Sequence, residues 1–203
     1  MDQNEAKRMA AEAAAELLPN EGVIGLGTGS TAKLFIEAMA RRIQQGARLV
    51  GVPTSDQSRK QAASLGIPLL DDVGPWDIAL CVDGADEVSE GLDLIKGGGA
   101  CHTREKIVNH ASRRNVIVVD DSKVSRQLGE KWAVPVEVLR FGEKSTARAL
   151  SHFGSVSLRM KDGAPWVTDS GNVIYDVKVG PMPEPSVLDA QLQRLPGVVD
   201  TGL

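Results

Sequence analysis

Val23-Ile24-Gly25-Leu26-Gly27-Thr28-Gly29-Ser30-Thr31, running on from Ala32 to Gln45, is the stretch that decides the fold. Val23 to Leu26 is apolar without alternation, as in a short strand covered on both faces. Gly27 to Thr31 is a turn of glycines and hydroxyl residues. Leu34, Phe35, Ala38, Met39 and Ile43 then recur at helical spacing. Strand, turn and helix in that order open a parallel α/β sheet.

The same grammar repeats on either side. Residues 4–18, rich in Ala, Glu, Lys and Leu, read as a helix stopped by Pro19. Arg48 to Val52 reads as a second strand, and Ser55 to Leu65 as a helix with Thr54, Ser55 and Asp56 as candidate caps. Ile67 to Leu70 and Asp77 to Val82 are read as a third and a fourth strand. Thr103 to Arg113 is read as a helix, and Val116 to Val119 as an apolar strand. Right-handed crossovers between such strands predict a doubly wound, mainly parallel sheet.

Beyond about residue 130 the pattern changes. Val134 to Leu139 is a strand, Lys144 to Phe153 a helix, Ser155 to Met160 and Val173 to Val179 strands, and Ser186 to Leu195 a helix. That order predicts a second, smaller, antiparallel α+β domain. The division expected is an α/β catalytic domain over residues 1–130 with residues 197–203, and a small domain over 131–196.

Composition narrows the function classes. The 203 residues are 42% hydrophobic and 25% charged, which is ordinary for a globular chain. A net charge of -4 gives no footprint for nucleic acid or an anionic membrane. Two cysteines, Cys81 and Cys101, make no disulfide framework and fit a reducing compartment. Met1-Asp2-Gln3-Asn4-Glu5 lacks the basic and apolar regions of a signal peptide, so a cytoplasmic location is expected.

The chemistry concentrates in two runs, Asp83-Gly84-Ala85-Asp86-Glu87 and Lys96-Gly97-Gly98-Gly99-Ala100-Cys101-His102-Thr103-Arg104-Glu105-Lys106. Ionisable groups interleaved with glycine are poor core material and good cleft material. Asp83 and Asp86 follow the carboxyl end of a strand, where open α/β sheets bind ligands. Standing alone, they would read as a solvated Asx turn. Consecutive glycines after Lys96 can form a nest of N–H groups for an oxyanion. Glu105 is either a general base or an ordinary first-turn glutamate held by the helix dipole; the first role requires burial. Thr28, Gly29, Ser30 and Thr31 open a helix whose N-terminus suits an anion; the alternative is a tight turn capped by Ser30. Neither a dinucleotide fingerprint nor a Walker loop fits, since Ser30 stands where the former needs Gly. Lys123, after a later strand, is either an anion partner or a surface lysine. His102, His110 and His152 lack metal-ligand spacing, so no metal is expected.

In order along the chain, Gly27-Thr28-Gly29-Ser30-Thr31, Thr54-Ser55-Asp56, Asp83-Gly84-Ala85-Asp86-Glu87, Lys96-Gly97-Gly98-Gly99-Ala100, Thr103-Arg104-Glu105-Lys106, Asp121-Ser122-Lys123 and Pro135-Val136-Glu137-Val138 resemble the motif set of type A ribose-5-phosphate isomerases. The resemblance implies interconversion of D-ribose 5-phosphate and D-ribulose 5-phosphate through an enediolate, in the non-oxidative pentose phosphate pathway. It implies no cofactor, and a homodimer or homotetramer. It makes Glu105 the proton acceptor. It makes Thr28 to Thr31, Asp83 to Asp86 (with Gly84 and Ala85), Lys96 to Gly99 and Lys123 substrate-binding, with Asp83, Asp86 and Lys96 also catalytic. Cys101-His102 departs from the small or apolar pair usual before the Thr-Arg-Glu-Lys run. The family usually continues past Leu203 with a closing strand and a tail, so either the sequence is truncated there or this member is short, truncation being the favoured hypothesis. Two rival readings stand beside it: a CoA transferase-like enzyme with a glutamate nucleophile, and a sugar-phosphate sensor without turnover.

Overall fold

The computed structural model describes residues 2–203. The elements up to the first acidic run are α1 (Gln3–Glu16), β1 (Glu21–Leu26), α2 (Ser30–Gln44), β2 (Arg48–Pro53), α3 (Asp56–Ser64) and β3 (Ile78–Asp83). Next come β4 (Glu87–Ser89), β5 (Leu94–Ile95), α4 (His102–His110), β6 (Asn115–Ile117), a 3-10 turn (Asp121–Lys123) and β7 (Val124–Ser125). The remainder is β8 (Val134–Val138), α5 (Glu143–Leu150), β9 (Ser155–Leu158), β10 (Met160–Lys161), β11 (Ala164–Pro165), β12 (Val173–Lys178), α6 (Pro185–Gln193) and β13 (Val198–Thr201). The chain forms two compact units, Met1–Gly84 with Arg104–Ser122, and Ala85–Thr103 with Lys123–Leu203.

The first unit is built on a parallel sheet of order β2-β1-β3-β6. Ile24, Leu26, Leu80 and Val82 are buried in it, and α2 adds Phe35, Ile36 and Met39. Each such side chain contributes about 1.5–3 kcal/mol when fully buried. α1 presents only Ala11, Ala14 and Ala15 as its buried face, so its backbone approaches α2 closely. The fourth strand of the sequence reading is β3, but Ile67 to Leu70 is not a strand. It makes only a single bridge, Gly51 to Leu69, because Pro68 has no N–H to continue a ladder.

Strand order reverses between β1 and β3. The chain goes outward from β1 to β2, then returns to the other side of β1. At such a switch point the loops leaving two adjacent strands diverge and leave a crevice at their carboxyl ends. Gly27 and Asp83 occupy those ends. A Cβ on Gly27 would lie 2.2 Å from Asp83 Oδ1 and 2.5 Å from Asp83 Cα. Only glycine allows the two strand ends to approach this closely. Gly27→Ala is expected to destabilise the protein by about 1–3 kcal/mol, the usual range for overpacking. An unchanged urea midpoint would contradict the close approach.

Beyond the carboxyl end of β6, Asp120 accepts bonds from the Ser122 N–H (3.1 Å), the Ser122 hydroxyl and Gln3 Nε2 (3.4 Å). These bonds, the Ser122 hydroxyl foremost, hold its carboxyl below the ordinary value despite desolvation. A lowered folded-state pKa adds stability that is full above the unfolded pKa. It is lost as pH falls through the folded one. Asp120→Ala should therefore cost about 0.5–2 kcal/mol at neutral pH, as for other capping side chains. The gap from the parent should narrow in acid. A gap that widens on acidification would contradict this.

The second unit carries an antiparallel sheet of order β13-β8-β12-β9. Val134, Val136 and Val138 of β8 pair with Val177, Tyr175 and Val173 of β12. Their shared face is closed by Leu150 of α5 and Leu192 of α6. This is the α+β arrangement read from sequence, with different limits. Residues 197–203 do not return to the parallel sheet: β13 pairs with β8, and the Gly202 N–H donates to the Pro135 carbonyl (2.7 Å). Residues 85–103 join the same unit because the Lys96 N–H donates to the Gly202 carbonyl (2.8 Å). A small sheet β5-β4-β7 and the β10-β11 hairpin complete it. Strands of two or three residues carry no readable periodicity, which is why β4, β5 and β7 escape a sequence reading. Among the described residues no helix is long and apolar enough to cross a membrane.

Candidate active site

In the first unit, the Gly27 N–H donates to the Val82 carbonyl (2.9 Å), so the loop after β1 leaves alongside β3. The Thr28 and Gly84 N–H groups both donate to Asp83 Oδ1, at 3.0 and 2.8 Å. Asp83 is fully buried, and two amides fix the direction of its carboxylate. Thr28 Oγ1 lies 2.8 Å from both Thr54 Oγ1 and Ser55 Oγ. Ser58 Oγ donates to the Gly27 carbonyl (2.7 Å), and the Ser58 N–H donates to Ser55 Oγ (3.1 Å), which caps α3. The loops after β1, β2 and β3 are thus one hydrogen-bonded assembly.

Ser30 is not the cap of α2. Gly29 holds that position at φ 120°, with no capping side chain, and Ser30 is the first helical residue. Gly29 and Ser30 are exposed, while Thr31 is buried. First-turn N–H groups without a side-chain cap, at the positive end of a 15-residue helix, favour an anion.

Glu105 stands in the first turn of α4. Val108, one turn later on the same helix, packs with Val52, Ile78 and Cys81. A Cβ on Gly25 would lie 2.8 Å from Val108 Cγ1, so α4 rests directly on the sheet there. Arg104 Nη1 donates to Asp56 Oδ1 (3.0 Å), tying the start of α4 to the start of α3. Glu105 and Val108 share a helix face by their spacing. Glu105 is only 4% exposed. An ordinary first-turn glutamate is solvated; this one is turned away from solvent.

The second unit holds Ala85, Asp86, the Lys96 to Gly99 segment and Lys123. The Asp86 N–H donates to the Ile95 carbonyl (2.8 Å), and the Gly98 N–H donates to Asp86 Oδ2 (2.6 Å). Gly97 has φ 106°, and a Cβ on it would lie 2.6 Å from His102 Nδ1, so glycine is required on two counts. The Ala100 N–H donates to the Gly97 carbonyl (2.9 Å) and closes a turn whose exposed tip is Gly99. Lys96 is half-buried. Lys123 Nζ lies 5.0 Å from the Trp132 ring centroid, a cation–π contact. Glu87, the third acid of its run, is structural: its buried carboxylate accepts from the Gly129, Lys131 and Trp132 N–H groups at 3.0–3.1 Å.

Two side chains in this unit lie outside the reading of the site from sequence. Glu137 is buried and accepts from Thr103 Oγ1 (2.5 Å), Thr168 Oγ1 (2.8 Å) and Asn172 Nδ2 (2.8 Å), which holds a residue of the first turn of α4. Arg159 Nη1 donates to the Gly97 carbonyl (2.5 Å). Glu137 was legible only as part of a motif, and Arg159 carries no local signal at all. Among the described residues no group of three or more His, Cys, Asp or Glu side chains is placed to hold a metal ion.

Residues 50–203 match the family model described as ribose 5-phosphate isomerase A (phosphoriboisomerase A). The chain is 45% identical to the ribose-5-phosphate isomerase A of Gloeobacter violaceus, covering 100% of this chain and 89% of that protein. It is 49% identical to the protein of the same name from Chloroflexus aurantiacus, over 97% and 84%. Among solved structures, ribose 5-phosphate isomerase A from Methanocaldococcus jannaschii superposes with a TM-score of 0.94 at 39% identity, covering 99% of this chain and 91% of that one. A D-ribose-5-phosphate isomerase in complex with phospho-erythronic acid superposes with a TM-score of 0.95 at 37% identity, over 100% and 90%.

Proposed function

The chain belongs to the ribose 5-phosphate isomerase A family, and from that premise we propose how its own residues carry the reaction. The enzyme is an aldose–ketose isomerase that interconverts D-ribose 5-phosphate and D-ribulose 5-phosphate. The chemistry is proton transfer between C2 and C1 through an enediolate, in the non-oxidative pentose phosphate pathway.

In this proposal Glu105 removes the C2 proton of the open-chain aldose and returns it to C1. The observation that carries the assignment is the burial of a first-turn carboxylate on the sheet side of α4. A base held away from bulk water keeps the proton it has taken for delivery to the neighbouring carbon. The Lys96 ammonium and the amides of the Gly97-Gly98-Gly99 turn stabilise the charge that develops on the enediolate oxygen. Asp83 and Asp86, each fixed by backbone N–H groups, accept substrate hydroxyls, move the hydroxyl proton and help open the furanose ring. Thr28 to Thr31, at the N-terminus of α2, and Lys123 hold the sugar phosphate. Gly84 and Ala85 line the same substrate.

Mixing the protein with ribose 5-phosphate in the presence of a chelator and following ketose formation tests the reading. Turnover unaffected by the chelator is expected. Binding without turnover, or a glutamyl adduct formed from an acyl-CoA, would replace it with one of the two rivals. A homodimer or homotetramer in the cytoplasm belongs to the same proposal. The buried thiols of Cys81 and Cys101 support a reducing compartment, and exposed Leu139 and Phe141 offer apolar surface for assembly.

A further inference from the structure

Arg159 lies between β9 and β10, more than fifty residues from any motif of the glycine turn. Its N–H donates to the Ile174 carbonyl (2.9 Å), which fixes its backbone against β12. Asp176 grips one edge of the guanidinium: Nε donates to Oδ2 at 2.9 Å, and Nη2 donates to Oδ1. The side chains of the pair are 12% and 24% exposed. A planar fork held on that edge has only its Nη1 corner left to aim. Nη1 donates to the Gly97 carbonyl at 2.5 Å and reaches the Gly98 carbonyl at 3.4 Å.

The consequence follows from peptide geometry. In a planar trans peptide the C=O and N–H bonds point in opposite directions. Drawing the Gly97 carbonyl toward Arg159 therefore turns the Gly98 N–H away from it, and that N–H meets Asp86 Oδ2 at 2.6 Å. The Gly98 carbonyl leans the same way, so the Gly99 N–H is turned to the side that Gly98 faces. Three successive glycines have no side chains to resist a peptide flip. A cation on the carbonyl side resists it, and also polarises each peptide so that its N–H becomes a stronger donor.

We infer that Arg159, supported by Asp176, is a positioning residue for the isomerisation. It orients the Gly99 amide toward the enediolate oxygen and, through the Gly98 N–H, sets the direction of the Asp86 carboxylate. This rests on the reading above that the turn binds the enediolate. An ion pair that merely ties β9 to β12 would affect stability and nothing else.

The test compares Arg159→Met, Arg159→Lys and Asp176→Asn with the parent enzyme. Two inhibitors are used: phospho-erythronic acid, which carries a carboxylate near the enediolate position, and ribitol 5-phosphate, whose head is neutral. In Arg159→Met, kcat should fall about 10–100-fold, the scale set by misplacing a reacting geometry or an oxyanion donor. KM for ribose 5-phosphate should stay within about threefold, because the phosphate contacts are untouched and Asp86 is only one of the groups that hold the hydroxyls in the ground state. Affinity for phospho-erythronic acid should fall in step with kcat while ribitol 5-phosphate binds as before. Arg159→Lys and Asp176→Asn should shift the same way by less, and they decide the matter if the methionine variant does not fold. Variants that retain the parent's preference for phospho-erythronic acid, or that lose both inhibitors equally, overturn the proposal alone. A parent enzyme with no such preference overturns the reading of the turn, and the proposal with it.

Discussion

Glu105→Gln is expected to lower kcat by about 10²–10⁴, the range for loss of a positioned general base. The amide is nearly isosteric with the acid, so the packing of Val108 against Cys81 and the Arg104–Asp56 contact should survive. The substitution removes the group that accepts the C2 proton and leaves the groups proposed to hold phosphate and hydroxyls in place. KM should accordingly move far less than kcat, the pattern of a contact made chiefly in the transition state. A near-normal kcat in a folded variant would remove Glu105 from the mechanism.

Lys96→Met is expected to have the second largest effect, a fall in kcat of about 10²–10³. Methionine keeps the length and the apolar stem of lysine and deletes the charge. The backbone at this position is held independently, through the Lys96 N–H bond to the Gly202 carbonyl, so the turn that follows should keep its place. Loss of rate then reports loss of a cation opposite the developing oxyanion. The same variant should bind phospho-erythronic acid more weakly, since that carboxylate lacks its counter-charge. A variant with full activity would transfer the oxyanion role to the glycine amides alone. Combining this change with Glu105→Gln should cost much less than the product of the two, as for groups that act on one step.

Much of the fold was legible because its signals are local. Val23 to Leu26 is apolar throughout because β1 is covered on both faces, and the 3.6-residue spacing of Phe35, Ala38 and Met39 follows from packing on that sheet. The pairing of β13 with β8 was not legible, since Val198 to Thr201 would suit the edge of either sheet and only register in space decides. Ile67 to Leu70 has strand composition, but Pro68 interrupts it. For the candidate site, the residue types of the acidic and glycine runs announced polar chemistry. Sequence could not say which acid was structural. The Glu87 carboxylate accepts three amides from residues over forty positions away, which its place in the run does not reveal. Burial of Glu105 was equally hidden, because it depends on Gly25 letting α4 settle onto the sheet. Arg159 was invisible for the plainest reason: the groups its free corner meets are carbonyl oxygens, which every residue has.

The direct test of a single carboxylate passing hydrogen between neighbouring carbons is proton NMR of ribose 5-phosphate turned over in deuterated water. The parent enzyme should carry part of the C2 hydrogen to ketose C1 and place whatever deuterium does enter at a single diastereotopic C1 position, and Glu105→Gln should do neither at a comparable rate. Exchange by that variant at the parent's rate, or deuterium spread over both C1 positions by the parent, would contradict the account.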